Sequence, residues 1–379
     1  MKTEERNEIK SKIQNEILDI YANNPYLIIE MGTGAGKGLS VIRCISESKS
    51  TSPWLILVPE IHQIENFKNE FRKFGYEKLL ENVTIECYAS FKNYKGTNYN
   101  IVLNEVQSLS DFRFEVLKEV NSESIIADSA TIPPAIREKL YDIYDKWYTY
   151  HLPLHEAIEL GMLPKPKVYT IPCSFFEIKE KYEYTQYGKK RMFYSHEYYN
   201  AISSDMKYWG DRHKKEKSVF LFNKLMSLAS QRKRFVAEIK TNKAKELIEK
   251  FEKDGRRYIV FCGSIKQCDE LGGKFAIHSK KSAKHNRQII NDFNLLKIKK
   301  VYTCGMLVSG MTLSDLDTVM VIQLDKGEDN DSLKAIQQCG RGLRSENPEM
   351  YLLYNSESMD KEYVKNAIKA IGEQYVIKL

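Results

Sequence analysis

No stretch of the chain approaches the roughly 18 consecutive apolar residues that a membrane span requires, which argues against a bilayer protein. The N-terminal "MKTEERNEIKSKIQNEI" mixes acids and bases with no apolar core after them, so it does not read as a secretory signal. A cytoplasmic protein is expected. The seven cysteines (Cys44, Cys87, Cys173, Cys262, Cys268, Cys304, Cys339) contain no C-x-x-C pair and are odd in number, which argues against a disulfide frame or a zinc site. Low-complexity tracts and short-period repeats are absent. Neither sign of charge dominates. The net charge of +7 is below that of a nucleic-acid coat but permits a polyanionic partner, so its clustering matters more than its sum.

With 42% hydrophobic and 29% charged residues, the composition is that of a soluble globular protein. A length of 379 residues suits two or three domains, given the usual ~100–200 residues each. Short, largely apolar runs recur through the first third: "YLIIEM" (26–31), "WLILVP" (54–59), "VTIECYA" (83–89), "NIVLNEV" (100–106) and "SIIADSAT" (124–131). They alternate with Lys/Glu-rich segments, the pattern of parallel strands covered by helices on both faces. The pattern resumes with "RRYIVFCG" (256–263), "KFAIHS" (274–279), "KKVYTCGM" (299–306), "TVMVIQL" (318–324) and "MYLLYN" (350–355). The expected fold is therefore α/β, with two doubly wound parallel-sheet domains at 1–150 and 251–379. Between them, 151–250 reads as a mostly helical linker or insert. Its segments "EKYEYTQYGKKRMFYSHEYYN" and "KYWGDRHKKEKSVFLFNKLMSLASQRKRF" are the most basic and aromatic parts of the chain.

Chemistry is concentrated at three places. After the first apolar run, Gly32-Thr33-Gly34-Ala35-Gly36-Lys37-Gly38 should turn sharply into a helix. Glycines let successive backbone N–H groups converge on phosphates, the helix N-terminus adds its positive end, and Lys37 reaches the outer phosphate oxygens. The fourth run ends in Asn104-Glu105-Val106-Gln107. A carboxylate at that edge can orient and deprotonate an attacking water, the part assigned to Glu105; a helix N-cap at Asn104 or Ser108 is the competing reading. In "QQCGRGLR", Arg341 and Arg344 share a helix face with Gln337 nearby. Guanidinium groups so placed can clamp a phosphoryl group as its charge redistributes, although a solvated basic helix has the same spacing.

Taken in order, the loop at 32–38, "NEVQ" at 104–107, "SAT" at 129–131, "VSGMTL" at 308–313 and "QQCGRGLR" at 337–344 resemble the motifs of a superfamily-two helicase of the DEAD/DEAH type. The style is similar to compact helicases of bacteriophages and mobile elements. The resemblance implies two RecA-like domains with ATP and magnesium in the cleft between them, and a nucleic-acid partner, with DNA the expected polymer. It places Gln14 as a reader of adenine, a role that competes with an ordinary helix glutamine. Ser129 and Thr131 would couple hydrolysis to strand movement, unless the triplet is only a strand end before a Pro-Pro turn. "VPEIHQ" (58–63), "YASF" (88–91), "FCGSIKQ" (261–267) and "VYTCGM" (301–306) resemble elements that touch the nucleic-acid backbone.

Two positions depart from the family pattern, and both concern the metal. Gly38 stands where a hydroxyl would bind magnesium, and Asn104 stands where an aspartate would hold one of its waters, leaving Asn104 a weak, indirect metal contact at most. The expected function is an ATP-dependent helicase or translocase; the alternative is a nucleotide-gated nucleic-acid clamp with weak or lost hydrolysis. A small-molecule enzyme is disfavoured. Lysines and arginines displace counterions from phosphates and aromatic rings stack on unpaired bases, so Arg232, Lys233, Arg234, Tyr208 and Trp209 are the candidate polymer contacts. A helical bundle with core tyrosines and solvated lysines is the competing view of that segment.

Overall fold

Every apolar run singled out above becomes a strand of one of two parallel sheets. The computed structural model describes residues 3–186, 188–305, 313–324, 340 and 345–377. The first sheet contains β1 (Tyr26–Met31), β2 (Trp54–Val58), β3 (Val83–Cys87), β4 (Asn100–Asn104), β5 (Ile125–Ser129) and β6 (Tyr148–Leu152). Its order is β3-β2-β4-β5-β1-β6, with every pair parallel. Side chains alternate between faces along a strand. In β1 this sends Leu27, Ile29 and Met31 into one core and Ile28 into the other. The first core is closed by α1 (Thr3–Asn23), α2 (Lys37–Ser46) and α3 (Ile61–Lys73), through Ile17, Val41, Ile45, Phe67 and Phe71. The second is closed by α4 (Asp111–Lys118) and α5 (Pro134–Ile143), through Phe114, Leu117 and Leu140. Strands buried on both faces read as continuous apolar runs rather than alternating ones, which is why these were visible in the sequence.

After β6, α6 (Leu154–Glu159) leads to β7 (Lys167–Cys173), which belongs to the second sheet and pairs with β14 (Glu349–Asn355) from Lys167↔Glu349 to Cys173↔Asn355. Residues 151–250 thus include a strand of the second sheet ahead of the helical insert. From β7 the chain forms an antiparallel hairpin, β8 (Lys181–Gln186) and β9 (Lys189–Tyr194). Then come the long helices α7 (Ser195–Glu216) and α8 (Val219–Ile239), and α9 (Thr241–Lys253). The hairpin stands where the sequence reads as helical. Its tyrosines explain the difference: Tyr182 packs on Phe235 of α8 and Tyr184 donates to Asp205 of α7 at 2.7 Å, a half-buried surface that suits aromatic residues in a strand.

The rest of the second sheet is β10 (Tyr258–Phe261), β11 (Ala276–His278), β12 (Lys300–Cys304), β13 (Thr318–Val321) and β15 (Val376–Ile377), covered by α10 (Ile265–Gly272), α11 (Ala283–Asn294) and α12 (Asp360–Ile371). Its order is β11-β12-β10-β13-β14-β7-β15. The insert is tied back to this domain by Lys240, fully buried at the α8–α9 junction. Lys240 Nζ donates to Asp360 Oδ2 at 2.6 Å and to Gln323 Oε1 at 3.1 Å. A buried ammonium requires such partners, so α9 cannot lift from the sheet without leaving a charge unpaired. No described helix is long and apolar enough to cross a membrane.

Candidate active site

Three neighbouring strands, β4, β5 and β1, bring the chemistry to one carboxyl edge, where ligands of open α/β sheets bind. Beyond Met31 the chain turns through Gly34 at φ 88° and Gly36 at φ 105°, left-handed conformations that glycine adopts without strain. Lys37 then opens α2, and its Nζ donates to the Met31 carbonyl at 2.9 Å, folding the ammonium over the loop. Ala35 is fully buried beneath it. The loop is braced from several sides. A Cβ added at Gly32 would lie 2.8 Å from Leu154 Cα, one at Gly34 would lie 3.3 Å from Leu163, and one at Gly36 would lie 3.0 Å from Gln14 Nε2. Gln14 is therefore a buried residue of α1 lying against the loop, and Lys10 of the same helix donates to the Gly34 carbonyl at 3.2 Å. At Gly38 the space a side chain would fill is taken by the carboxylate of Glu70 from α3.

Glu105 follows β4 in a left-handed conformation, φ 52°, unusual for a residue with a Cβ. Strain of this kind is associated with functional sites. Gln107 Nε2 donates to Glu105 Oε2 at 2.8 Å, and Tyr88 of the "YASF" segment donates to the Asn104 carbonyl at 2.9 Å. Asn104 Nδ2 in turn donates to both oxygens of Asp128, at 3.0 and 3.1 Å. Asp128 sits directly across from Asn104 in the β4–β5 register and is 1% exposed. Burial, with the nearby Glu105 charge adding to it, pushes its carboxyl up to about 7, against the opposing pull of Lys37 and of hydrogen bonds from Asn104 and the Glu105 backbone.

Ser129 is fully buried; its hydroxyl donates to the Thr131 carbonyl at 2.8 Å and accepts from the Thr131 N–H at 3.1 Å, closing the turn that leaves β5. A second buried acid, Glu30 of β1, holds the same turn. It accepts from Ile132 N–H at 2.7 Å and from Arg137, and contacts His151 Nδ1 at 3.0 Å. Sequence reasoning passed over Asp128, Glu30 and Glu70. For the first two the signal was present: each is a lone acid inside an otherwise apolar strand.

Gln337, Arg341 and Arg344 lie outside the described residues, as does most of "VSGMTL". Gly340 is described and buried; a Cβ there would lie 2.8 Å from Thr33 Cβ. In the insert, Arg232 Nη1 donates to Ser203 Oγ at 3.2 Å and its guanidinium lies 5.6 Å from the Tyr199 ring. Arg234 is exposed and donates to the Ser230 carbonyl at 3.2 Å. Lys233 is half-buried. Tyr208 is 52% exposed, and Trp209 packs into the helical pair with Arg212 5.5 Å from its ring. Arg232 and Trp209 are not brought together, because Arg232 meets α7 at Ser203, nearly two turns from Trp209. Val219 and Phe220, at the tip between α7 and α8, are 75% and 70% exposed, an apolar feature the sequence reading did not single out.

Residues 3–131 match the family described as type III restriction enzyme, res subunit, and residues 239–346 match the helicase conserved C-terminal domain. No curated protein matches in sequence. Among solved structures, a variant of S. cerevisiae Dbp5 bound to RNA and ADP BeF3 superposes with a TM-score of 0.63 at 14% identity, covering 97% of this chain and 89% of that one. Dbp5 without the substitution, in the same bound state, gives 0.60 at 13% identity with the same coverage. The Pyrococcus furiosus Hef helicase domain gives 0.50 at 11% identity, covering 94% of this chain and 96% of that one. At these identities the superpositions speak for the fold, two RecA-like domains in tandem. With both family matches falling in the expected order along that fold, the chain belongs to the superfamily-two helicases.

Proposed function

We propose that this protein hydrolyses ATP between its two parallel-sheet domains and uses the cycle to move along nucleic acid. The observation that carries the reading is that the 32–38 loop with Lys37 follows β1 and Glu105 follows β4 at the same carboxyl edge, on either side of β5, which carries the buried Asp128. A cation for phosphate and a candidate base for water thus share one edge. In this reading the 32–38 backbone cradles the phosphates and Lys37 turns from the Met31 carbonyl to their oxygens. Glu105, oriented by Gln107, takes the proton of the attacking water. Arg341 and Arg344 follow Gly340, which abuts the loop at Thr33, and supply positive charge from the second domain. Gln14 lies on the adenine side, and the Ser129–Thr131 turn passes the change in the site to β5 and α5.

Among the described residues no set of three His, Cys, Asp or Glu side chains is placed to hold an ion unaided. Two carboxylates at the loop's edge suit magnesium, which keeps several waters and is bound by one or two carboxylates together with substrate phosphates. Its contribution when bound is to neutralise charge on the β- and γ-phosphates.

The insert leaves the carboxyl end of β7 and returns through α9, so it rises from the second sheet's ligand-binding edge. Its basic residues and the exposed rings of Tyr208 and Phe220 suit a single strand, with phosphates met by charge and bases by stacking. DNA is the preferred polymer because the first domain matches a restriction-enzyme subunit, whereas the Dbp5 structures hold RNA. Phosphate release measured with single-stranded DNA, duplex DNA and RNA tests the proposal. Stimulation by one or more of these polymers is expected. ATP binding without stimulated hydrolysis at any magnesium concentration would instead identify a nucleotide-gated clamp.

A further inference from the structure

The family pattern requires an acid at position 104, and this chain has an amide there. An acid stands one strand away. Asn104 and Asp128 are register partners on β4 and β5, and the amide donates to both carboxylate oxygens at 3.0 and 3.1 Å. Asp128 is 1% exposed and also accepts from the Glu105 backbone. Two hydrogen-bond donors therefore hold a buried carboxylate in place at the strand edge that also carries the loop of Lys37 and Glu105. A buried acid lying between a base and a lysine is costly to retain for packing alone, because burying a carboxylate is unfavourable unless its charge is used or compensated.

We infer that Asp128 is the metal-positioning acid of this protein: the carboxylate that holds a water of the nucleotide's magnesium has moved from β4 to β5, and Asn104 has become the group that orients it. This rests on the nucleotide-site reading above and deepens it. An amide cannot supply the negative charge that a metal-bound water donates to. A carboxylate in register with it can do so from the adjacent strand, with the Asn104 amide replacing the solvent that would otherwise bind its oxygens.

The test uses the full chain and reads binding rather than turnover. Fluorescent ADP is titrated in EDTA and in excess Mn2+, and Mn2+ bound to the protein–ADP complex is followed by electron paramagnetic resonance. Asp128→Asn should leave ADP affinity in EDTA unchanged and weaken Mn2+ binding by about ten- to a hundredfold, the usual range for outer-sphere partners. The exchange variant Asn104→Asp with Asp128→Asn, which returns the acid to β4, should recover most of that loss. A merely structural Asp128 would lower ADP affinity with and without metal alike, or be no better served by the exchange. Either result overturns the inference, as does Mn2+ affinity unchanged by Asp128→Asn. If the unaltered protein binds no ADP under either condition, the nucleotide-site reading fails and the inference with it, an outcome distinct from ADP binding whose metal dependence ignores Asp128.

Discussion

Gly340 of the second domain abuts Thr33 of the phosphate loop so closely that a Cβ on the glycine would lie 2.8 Å from Thr33 Cβ. Neither atom is the loose end of a flexible side chain, so a substitution must shift the backbone at Thr33 or at Gly340 itself. Gly340→Ala should therefore lower ATP turnover and shift nucleotide affinity while each domain keeps its own melting behaviour. Arg341→Ala, one residue on, should leave affinity largely intact and lower turnover on the order of a thousandfold, as removal of an arginine finger does. Steady-state hydrolysis beside equilibrium ADP binding separates the two variants. Equal loss of binding in both would remove Arg341 from the transition state.

The glycines of the loop are not equivalent. At Gly38 an added Cβ meets the far end of the Glu70 side chain, so only that side chain's own contacts are disturbed, whereas at Gly32 it meets the Leu154 backbone. Gly38→Ser should thus fold with a melting temperature close to that of the parent and saturate with magnesium at lower concentration, since it adds an oxygen beside the phosphates. Gly32→Ala should lose about 1–3 kcal/mol of stability, the usual cost of overpacking a site that cannot relax. A magnesium titration of hydrolysis and urea unfolding of both variants check this.

The strands buried on both faces were legible because burial writes itself as an unbroken apolar run: "YLIIEM" is β1 residue for residue. Strands with one solvated face were not. β7 carries Tyr169, Thr170 and Pro172 among its apolar residues, and β6 is mostly exposed or half-buried, so neither stands out from loop composition. The hairpin at 181–194 places Tyr182, Tyr184 and Phe193 on one face and Lys181, Glu183, Lys190 and Tyr194 on the other; its short strand-like alternation was lost within a longer segment crowded with tyrosine and lysine that reads as helical. In the site, Lys37 and Glu105 were visible as spacing along the chain. Asp128 showed only as a lone acid in an apolar run; its meaning lies in being opposite Asn104 across two strands, a relationship created by register. Glu70 was hidden for the same reason: only the packing of α3 on α2 brings it to Gly38.

The insert's polymer contacts can be separated from its own packing. Arg232 is engaged with Ser203 and Tyr199, so reversing it would disturb the helical pair itself. Arg234→Glu is the cleaner substitution, since Arg234 is exposed and bonds to the Ser230 carbonyl of its own helix, with Lys233→Glu beside it. If these groups neutralise phosphates, each reversal should reduce the slope of log affinity against log salt by about 0.7 for a single strand. Tyr208→Ala should cost about 1–3 kcal/mol of single-strand affinity at any salt concentration if a base stacks there. Slopes and affinities identical to those of the parent would make the insert a scaffold.

Asp128 also makes a prediction for stability in the absence of any ligand. Its native carboxyl is raised to about 7 from an ordinary 3.8, mainly by burial and then by Glu105, with Lys37 and Asn104 opposing and Tyr88 the remaining titratable neighbour. Between those two values the native state keeps a proton that the unfolded chain has released, so this group's stabilising contribution is complete below about pH 4 and is lost as pH rises towards 7. The slope from one group is at most about 1.4 kcal/mol per pH unit. Asp128→Asn has nothing to ionise, so relative to the parent it should gain stability steadily from about pH 5 to pH 7 and hold that gain at about pH 8. Glu105→Gln removes a like charge and should lower the Asp128 value, shrinking the same slope from its upper end, while abolishing turnover and sparing ADP binding. Urea unfolding of the three proteins across that range reads the difference directly. A stability difference between the parent and the Asp128→Asn variant that does not change with pH would mean that Asp128 is already ionised at the acid end of the range, and that its neighbours stabilise the charge more than burial opposes it.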